Sequence, residues 1–308
     1  RKSKQETERR HSQAFVDRVK AKASKAKQAQ SRVKLLEKMK PIASMVDAQT
    51  IAFNFPKPEP LSSPLMAMEA VQVGYEIGNP VLKKLDLRID MDDRIALLGA
   101  NGNGKSTFAK LVASKLAPME GKMRKPRTLK VGYFAQHQLD ELQENHTPLD
   151  HMKKLMPDAI EAKVRARLGS FGFGVDKADR SVGSLSGGEK ARLMFAIATF
   201  EKPQLLILDE PTNHLDVDSR EALIHAINGF DGAVLLISHD RHLVEACVDR
   251  LWIVEKGDVK RFDGDLEDYK LHLLRERAGE RAAKKGPKVN DQKKAARQNA
   301  ADIRLKLA

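Results

Sequence analysis

Short runs of apolar residues separated by turn residues dominate the chain from Met66 onward. Runs of four or five apolar positions have the length of a β-strand, and strands that alternate with helical runs indicate a largely parallel sheet. Strands are predicted at Ala70 to Val73, Ile95 to Leu98, Lys130 to Phe134, Leu205 to Leu208 and Val234 to Ile237. Helical patterns follow the second, fourth and fifth of these strands and also cover residues 149 to 180. The pattern therefore predicts an α/β core.

The first forty residues show a helical pattern instead. Residues 9 to 40 contain no Gly or Pro, and their apolar residues form one narrow stripe. The stripe consists of Phe15, Val19, Ala26, Ala29, Val33 and Leu36. Such a stripe favours a helical hairpin or a coiled coil. Pro41 ends the run, and four further prolines predict an extended linker over residues 54 to 64.

These patterns divide the chain into four predicted parts. A basic helical arm covers residues 1–45, and a Pro-rich extended linker covers residues 46–65. The globular body covers residues 66–272 and includes a helical subdomain at about residues 149–195. A basic segment over residues 273–308 begins a C-terminal coiled coil. Because the chain opens at Arg1 and stops within a helical pattern, we expect it to be part of a longer protein.

Positive charge is concentrated at the two ends of the chain. Residues 1–40 hold 14 Lys and Arg against 4 Asp and Glu, and residues 275–308 hold 11 against 4. The intervening residues hold 30 against 34. Two basic arms on a mildly acidic body suggest that the arms meet a polyanion such as nucleic acid or an anionic membrane face. Solvated helices are the simpler alternative.

Cysteine content and hydropathy indicate the compartment. Cys247 is the only cysteine, which excludes a disulfide within the chain and suits a reducing cytosol. No stretch approaches the ~20 apolar residues of a spanning helix, and the N-terminus lacks the apolar core of a signal peptide. We therefore predict a cytoplasmic location and expect no membrane insertion.

A glycine-rich segment follows the second predicted strand and matches the pattern G-x-x-x-x-G-K-S. It reads Gly99, Ala100, Asn101, Gly102, Asn103, Gly104, Lys105 and Ser106, and a helix is predicted from about Thr107. Glycines let backbone N–H groups turn inward around phosphates, and a helix N-terminus adds a positive dipole. Lys105 is placed to reach the β- and γ-phosphates, and the Ser106 hydroxyl can bind Mg²⁺.

Two acidic residues end the predicted strand at Leu205 to Leu208. Asp209 is expected to hold Mg²⁺ through the water shell, because Mg²⁺ keeps most of its waters and takes few protein ligands. Glu210 is expected to polarise the attacking water. A single acidic pair could merely solvate the strand end, so the neighbouring motifs decide between the two interpretations.

Three further motifs surround this acidic pair. They are Leu185, Ser186, Gly187, Gly188 and Glu189 upstream, Asn213, His214, Leu215 and Asp216 downstream, and Ser238-His239-Asp240 after the next strand. With these residues the chain resembles the ATP-binding cassette superfamily over about residues 66 to 270. The resemblance implies an α/β fold, a P-loop NTPase cassette with a helical signature subdomain, flanked here by basic α-helical arms. It also implies binding of ATP with Mg²⁺ and hydrolysis of ATP to ADP and phosphate.

The resemblance assigns further roles by motif. The signature of residues 185–189 closes on the nucleotide of a different cassette, so a second cassette is an expected partner. Gln136 is similar to the Q-loop glutamine near Mg²⁺ and the attacking water, and His239 to the switch histidine at the γ-phosphate. Residues 213–216 resemble the D-loop. Tyr75 resembles the aromatic residue that stacks on adenine.

Three segments of the sequence resemble one branch of the superfamily. The run from Phe15 to Met39 resembles the interdomain linker of the ABC-F family, soluble proteins with two cassettes in one chain. The segments 209–216 and 262–269 also resemble that family. The resemblance implies a ribosome-associated translation factor, with rRNA and tRNA as partners of the basic arms. The second cassette is then the missing N-terminal half or a homodimer partner.

Two other functions remain open from the sequence. Subunits that drive membrane transporters are often separate chains with the same cassette motifs, so an ATPase subunit of a membrane ABC transporter is the main alternative. Basic arms could also serve a nucleic-acid-associated ABC ATPase that acts on DNA. Such genome-maintenance ATPases place a very long coiled coil between the two halves of the cassette, whereas Ser106 and Leu185 are fewer than 80 residues apart.

Overall fold

A computed structural model of the chain describes residues 53–135, Gln138 and residues 142–284, with side chains as far as Glu276. The predicted arm at residues 1–45, the coiled coil beyond residue 284 and Gln136 therefore lie outside the described residues.

Nine strands form two sheets in the part of the chain that the structure describes. They are β1 (Met66–Glu76), β2 (Asn79–Ile89), β3 (Arg94–Leu98), β4 (Glu120–Arg124), β5 (Val131–Ala135), β6 (Leu205–Asp209), β7 (Ala233–Ile237), β8 (Arg250–Glu255) and β9 (Asp258–Phe262). The larger sheet has the order β5-β6-β7-β3-β8-β9 and is parallel except for β9 at its edge. The smaller sheet has the order β2-β1-β4 and is antiparallel. The predicted α/β class is confirmed.

Eight α-helices accompany the sheets in the described residues. They are α1 (Lys105–Val112), α2 (Pro148–Leu155), α3 (Glu161–Gly169), α4 (Val175–Ala178), α5 (Gly187–Ala198), α6 (Val217–Asn228), α7 (Arg241–Cys247) and α8 (Leu266–Lys284). Helices α2 to α4 fall within the predicted helical stretch at residues 149–180. The start of α2 carries a strong local signal, since Thr147 forms a capping box with Asp150.

The register of the parallel strands brings the chain segments that follow them to one edge of the larger sheet. Asp209, the last residue of β6, lies between Ala135 of β5 and Ile237 of β7. Strand β3 pairs with β7 on one side and β8 on the other. The residues after β3, β6 and β7 therefore emerge together, as expected at the carboxyl ends of parallel strands.

A layer of apolar side chains joins the two sheets around α1. Phe108 of α1 is fully buried, and its ring lies edge-on to Trp252 of β8 at 5.9 Å between centroids. Strand β1 contributes Val71 and Val73 to the same core. This packing fixes α1, which begins immediately after the glycine-rich loop.

The Pro-rich segment is extended, and it packs against the body. Residues 53–65 contain no helix or strand, but Phe53 is only 1% exposed. Its ring stacks on Phe195 of α5 at 5.6 Å between centroids, and Phe195 stacks on Phe134 of β5 at 4.4 Å. Phe55 packs against the same Phe195 ring. The chain thus enters the body through an aromatic cluster that includes helix α5.

A second compact unit begins at Gly264. Its helix α8 begins after Asp265, whose carboxylate accepts hydrogen bonds from the backbone N–H groups of Glu267 and Asp268. This local cap explains why the helix starts here. The helix runs through residue 272, where the sequence pattern placed the end of the body.

Candidate functional site

The glycine-rich loop is tightly fitted between β3 and α1. Gly99 has φ of 150°, and a Cβ at this position would lie 2.5 Å from the carbonyl oxygen of Val254. The side-chain amide of Asn103 donates a hydrogen bond of 3.1 Å to that same oxygen. Gly104, at φ of 100°, is the N-cap of α1. A side chain at Gly99 would displace strand β8, and positive φ favours glycine at both positions.

Lys105 turns back over this loop. Its Nζ donates to the carbonyl oxygens of Gly99 at 2.8 Å and Ala100 at 3.1 Å, and to Oδ1 of Asn101 at 3.4 Å. The ammonium group therefore lies inside the curve of the loop, where backbone N–H groups and a helix N-terminus favour an anion. This is the position that the motif predicts for a phosphate-binding lysine.

Burial lowers the pKa of Lys105, and the negative charges of Glu210 and Asp209 oppose that shift. The two carboxylates are close enough to influence the ammonium group, although they follow a strand more than a hundred residues later in the chain. The loop and the acidic pair thus form one electrostatic site.

Ser106 and Asp209 meet at the centre of this site. The Ser106 hydroxyl donates to Oδ2 of Asp209 at 3.3 Å. A hydroxyl and a carboxylate oxygen are hard ligands of the kind that Mg²⁺ prefers. The structure therefore brings together two of the three residues predicted to hold the metal. The third, Gln136, lies outside the described residues.

Glu210 occupies an unusual backbone position next to His239. Its φ is 51°, and its N–H donates to the carbonyl oxygen of Ile237 at 2.8 Å. Its carboxylate accepts from the backbone N–H of His239 at 3.4 Å and lies 3.6 Å from Nε2 of that histidine. A non-glycine residue in the left-handed region is often found at functional sites. The Glu210 carboxylate is also close enough to Asp209 for the two charges to interact.

Burial and the neighbouring His239 have opposite effects on the pKa of Glu210. Burial raises the pKa of Glu210, and His239 partly opposes the shift through its charge and its backbone N–H. A partly desolvated carboxylate beside a histidine can orient a water molecule and accept a hydrogen bond from it. The arrangement suits the predicted role of Glu210 at the attacking water.

Tyr75 stands at the end of β1 beside α1. Its ring is 59% exposed, and Nζ of Lys110 lies 5.3 Å from the ring centroid. The Tyr75 hydroxyl is 3.5 Å from Oγ1 of Thr107 and 3.4 Å from Nζ of Lys110. Helix α1 therefore holds an aromatic ring next to the phosphate loop, with ring surface open for stacking. Lys110 was not among the predicted site residues.

The signature segment begins helix α5. The Ser186 hydroxyl accepts from the N–H of Glu189 at 3.2 Å, and the Glu189 carboxylate accepts from the N–H of Ser186 at 2.9 Å. Burial alone would raise the pKa of Glu189. Hydrogen bonds from Lys177, at 2.8 Å, and from Ser186 instead lower this pKa to about 2. This capping box fixes the start of α5, whose first two residues are the exposed Gly187 and the half-buried Gly188.

The predicted D-loop packs against the signature within the same chain. A Cβ on Gly187 would lie 3.3 Å from Cβ of His214, which leaves little room for any other residue. Leu215 is buried, and Asp216 begins α6 by accepting from the N–H of Ser219 at 2.8 Å. The buried guanidinium of Arg192 donates to the Ser219 hydroxyl at 3.2 Å, which joins the two segments.

The phosphate loop and the signature remain separate within one chain. No hydrogen bond or ion pair joins residues 99–107 to residues 185–189, all of which the structure describes. The sequence analysis did not predict three supporting contacts. They are made by Lys177, Arg192 and the Val254 carbonyl. Only Arg192, a charged residue within an otherwise apolar helical run, gave any signal in the sequence.

Comparisons with known proteins agree with these motifs. A family model described as ABC transporter matches residues 82–213, and a second model with the same description matches residues 1–55. The chain is 46% identical over 280 residues to the probable ATP-binding protein YheS of Escherichia coli K12, covering 91% of this chain and 44% of that protein. It is 38% identical over 270 residues to ATP-binding cassette sub-family F member 3 of Rattus norvegicus, covering 87% and 38%. The chain belongs to the ABC-F family of ATP-binding cassette proteins.

This ABC-F chain spans less than half the length of these relatives. Protein GCN20 of Saccharomyces cerevisiae, 39% identical over 266 residues, shows the same relation, because the match covers 86% of this chain and 35% of that protein. The match falls in the C-terminal part of the relatives.

Solved structures confirm the cassette fold. The dimeric post-hydrolysis structure of the ATP-binding cassette MJ0796 bound to ADP and Pi has a TM-score of 0.55 at 21% identity. That comparison covers 65% of this chain and 100% of the other. A second dimeric structure of MJ0796 has a TM-score of 0.56 at 23% identity, with 64% and 97% covered. Within the described residues, no helix of this chain has the length and apolar character needed to span a bilayer.

Proposed function

We propose that the chain binds ATP together with Mg²⁺ and hydrolyses ATP to ADP and phosphate. The observation that carries the proposal is the meeting of Ser106 and Asp209 at 3.3 Å, beside Lys105 and Glu210, at one edge of the parallel sheet. Lys105 binds the β- and γ-phosphates, and Glu210 polarises the attacking water. His239, next to Glu210, contacts the γ-phosphate.

The remaining proposed roles surround this centre. Mg²⁺ neutralises charge on the phosphates when bound. Ser106 and Asp209 hold it, with Gln136 as the third predicted residue. The ring of Tyr75 stacks on adenine. Backbone N–H groups of residues 99–107 complete the binding of the phosphates.

A complete site requires a second cassette. The N-terminus of α5, with Ser186, Gly187 and Gly188, is the kind of helix end that binds an anion, and Ser186 and Gly187 are exposed. Within this chain they do not contact the phosphate loop. We infer that the signature acts on the nucleotide of another cassette, either the N-terminal half of a longer protein or a second copy. MJ0796, which has the same fold, forms a dimer.

We propose that this cassette belongs to a ribosome-associated translation factor in the cytoplasm, and that closure of its cassettes on ATP controls ribosome binding. The supporting observations are the similarity of the motif sequences to the ABC-F family and the two basic arms. An excess of Lys and Arg binds nucleic acid through its phosphates and releases counterions. The arms are therefore proposed to contact rRNA and tRNA.

The test uses the full-length protein with Glu210→Gln. This change preserves the size and hydrogen bonding of the side chain but removes the charge that polarises water, while Lys105, Ser106 and Asp209 still hold ATP. We expect the closed, ATP-bound state to accumulate, so that more protein sediments with ribosomes than for the parent. Glu201→Gln, at an exposed position, is the matched control.

The outcomes separate the two parts of the proposal. Reduced hydrolysis with retained ATP binding supports the assignment of Glu210. If that variant sediments with ribosomes no more than the parent, the ribosome assignment fails and the ATPase assignment stands. Co-purification with membrane proteins instead of ribosomes would favour a transporter subunit.

A further inference from the structure

Positive charge is concentrated in one stretch of the cassette itself. Residues 110–130 carry seven Lys or Arg residues and a single acidic residue, Glu120. The rest of the body, residues 41–274 without this stretch, carries 23 Lys and Arg against 33 Asp and Glu. We call the seven cations the basic patch. They are Lys110, Lys115, Lys122, Arg124, Lys125, Arg127 and Lys130.

The fold gathers this patch around the end of α1 and strand β4. Lys125 hydrogen bonds to the Ser114 hydroxyl, which ties the segment after β4 to the segment after α1. The ammonium group of Lys115 lies 4.5 Å from the ring centroid of Tyr133 on β5. Along β4, Met123 packs toward the core, so the alternation of the strand places Lys122 and Arg124 together on the outer face.

Most of the charge in the patch is uncompensated by the residues that the structure describes. Arg124 pairs with Glu69 at 3.4 Å, and both side chains are largely exposed. Lys122, Arg127 and Lys130 are exposed and form no ion pair with any described residue. A surface pair of this kind contributes little stability, and an unpaired cation contributes none.

Strand protection accounts for only part of the patch. Lysines on an edge strand discourage pairing with other chains, and β4 is the edge of its sheet. Arg127, however, lies in the turn between β4 and β5 and on neither strand, so edge protection does not account for it. Lys130 immediately precedes β5, which is the edge of the larger sheet. The clustering of charge therefore calls for an external partner of opposite sign.

We propose that the basic patch binds the phosphate backbone of a double-helical RNA. Residues 110–130 contain no aromatic residue or histidine, and the one exposed ring beside them, Tyr75 at Lys110, is assigned to the nucleotide site. The stretch itself therefore supplies no platform for stacking unpaired bases. None of the large exposed hydrophobic residues falls in this stretch, so it has no apolar group to insert into a membrane interface. Backbone recognition without stacking is typical of proteins that read the shape of an RNA helix.

The choice of RNA rests on the proposed ribosome association and extends it from the arms to the body of the cassette. Its test uses an isolated short RNA duplex, so that it can fail independently of ribosome binding. The variant is the triple substitution K122Q/R127Q/K130Q in the full chain. The matched control, K83Q/K163Q/R180Q, changes the net charge equally at exposed positions elsewhere on the body.

We expect the patch triple to bind the RNA duplex about tenfold or more weakly than the control triple at ~0.1 M salt. The slope of log K against log salt should also fall in magnitude by about three, since each lost phosphate contact removes roughly one counterion. Fluorescence anisotropy over a salt series measures both quantities. Equal affinity for MgATP in the two triples shows that both retain the folded nucleotide site.

Three outcomes overturn the proposal. The first is equal binding of RNA by the patch triple and the control triple. The second is that a DNA duplex of the same sequence binds more tightly than RNA, with the same dependence on the patch. The third is patch-dependent binding to vesicles of anionic lipid without binding to RNA. If the isolated duplex binds through the patch but ribosome sedimentation is absent, only the ribosome assignment fails.

Discussion

Lys105 is the residue on which the proposed nucleotide binding should depend most. Its ammonium group lies within hydrogen-bonding distance of three loop oxygens and is the cation at the centre of the phosphate loop. Charge-assisted hydrogen bonds contribute ~1.5–3 kcal/mol each, so Lys105→Ala should weaken MgATP binding by at least about tenfold. Isothermal titration calorimetry measures the change.

Lys115→Ala is the matched control, because Lys115 lies just beyond the end of the same helix and contacts Tyr133 outside the phosphate loop. Its affinity for MgATP should equal that of the parent. Equal affinity in the Lys105→Ala variant would refute the assignment of the phosphate-binding lysine.

The sequence could place Lys105, Ser106 and Asp209 in one candidate site because the spacing of such a loop is constrained by backbone chemistry. A loop that turns N–H groups inward needs glycines at set positions, and a lysine one residue after the last glycine reaches its centre. Ser106 and Asp209 are more than a hundred residues apart, yet both follow strands of one parallel sheet. The Val254 carbonyl could not be predicted, because a backbone atom carries no signature in the sequence.

Phe53 shows how an element without secondary structure can be held in place. Its side chain is 1% exposed and stacks on Phe195, so Phe53→Ala removes a large buried group and should lower the free energy of unfolding by ~3–5 kcal/mol. Urea denaturation measures the loss. The control is Ile77→Ala, since Ile77 is fully exposed and its truncation should change stability by less than ~0.5 kcal/mol.

A loss below ~1 kcal/mol for Phe53→Ala would mean that the Pro-rich segment does not pack on the body in solution. Phe53→Leu, which keeps an apolar side chain, should fall between the parent and the alanine variant. This packing ties the entering segment to Phe195 on α5, the helix that carries the signature at its start.

Glu189 on helix α5 should also make the free energy of unfolding depend on pH in the acid range. The pKa of Glu189 is about 2 in the folded chain and 4.5 ordinarily, so between these values the unfolded chain binds more protons. The contribution of Glu189 is complete above pH 4.5 and is lost as the pH falls toward 2. Denaturation at a series of pH values should show a smaller loss for Glu189→Gln than for the parent.

Glu201→Gln supplies the comparison, since Glu201 is exposed and forms no ion pair with a described residue. If the Glu189→Gln variant loses stability in acid as steeply as the Glu201→Gln variant does, the Lys177 and Ser186 contacts do not hold the charged form of Glu189.

Elements were predicted well where apolar residues run together and poorly where they do not. Strands β6 and β7 are nearly continuous apolar runs buried on both faces, and both were predicted within one residue of their bounds. Strands β2, β4, β8 and β9 were missed. Strand β8 is an exception to this trend, because its apolar run Leu251 to Val254 was not assigned to a strand. Strand β4 has one apolar residue, Met123, and depends on pairing with β1, which no local pattern reveals. The burial of Phe53 was missed for the same reason, because its partners are distant in sequence.

At the scale of the whole molecule, activity should depend on the meeting of two cassettes. The phosphate loop and the signature of one chain do not touch, so the isolated chain should hydrolyse ATP slowly. Missing contacts to the transition state commonly cost ~10²-fold or more in rate. The measurement is the specific rate of phosphate release over a series of protein concentrations.

Two outcomes of this series are informative. A steep rise with concentration indicates that two copies of the chain complete each other's sites. Fast turnover that does not change with concentration would contradict the requirement for a second cassette. Ser186→Ala mixed with parent chains tests the same point, because loss of the signature in one copy should impair the nucleotide site of the other.

The carbonyl oxygen of Val254 meets both Gly99 and the side chain of Asn103. Strand β8 thus helps to fix the conformation of the phosphate loop. It supplies no proposed catalytic residue. Because the backbone of Val254 makes the contact, substitution of its side chain should leave the loop conformation unchanged. A shift of strand β8 should instead distort the loop. Nucleotide affinity should therefore be vulnerable to packing changes beneath β8, such as at Trp252, that lie outside every recognised motif.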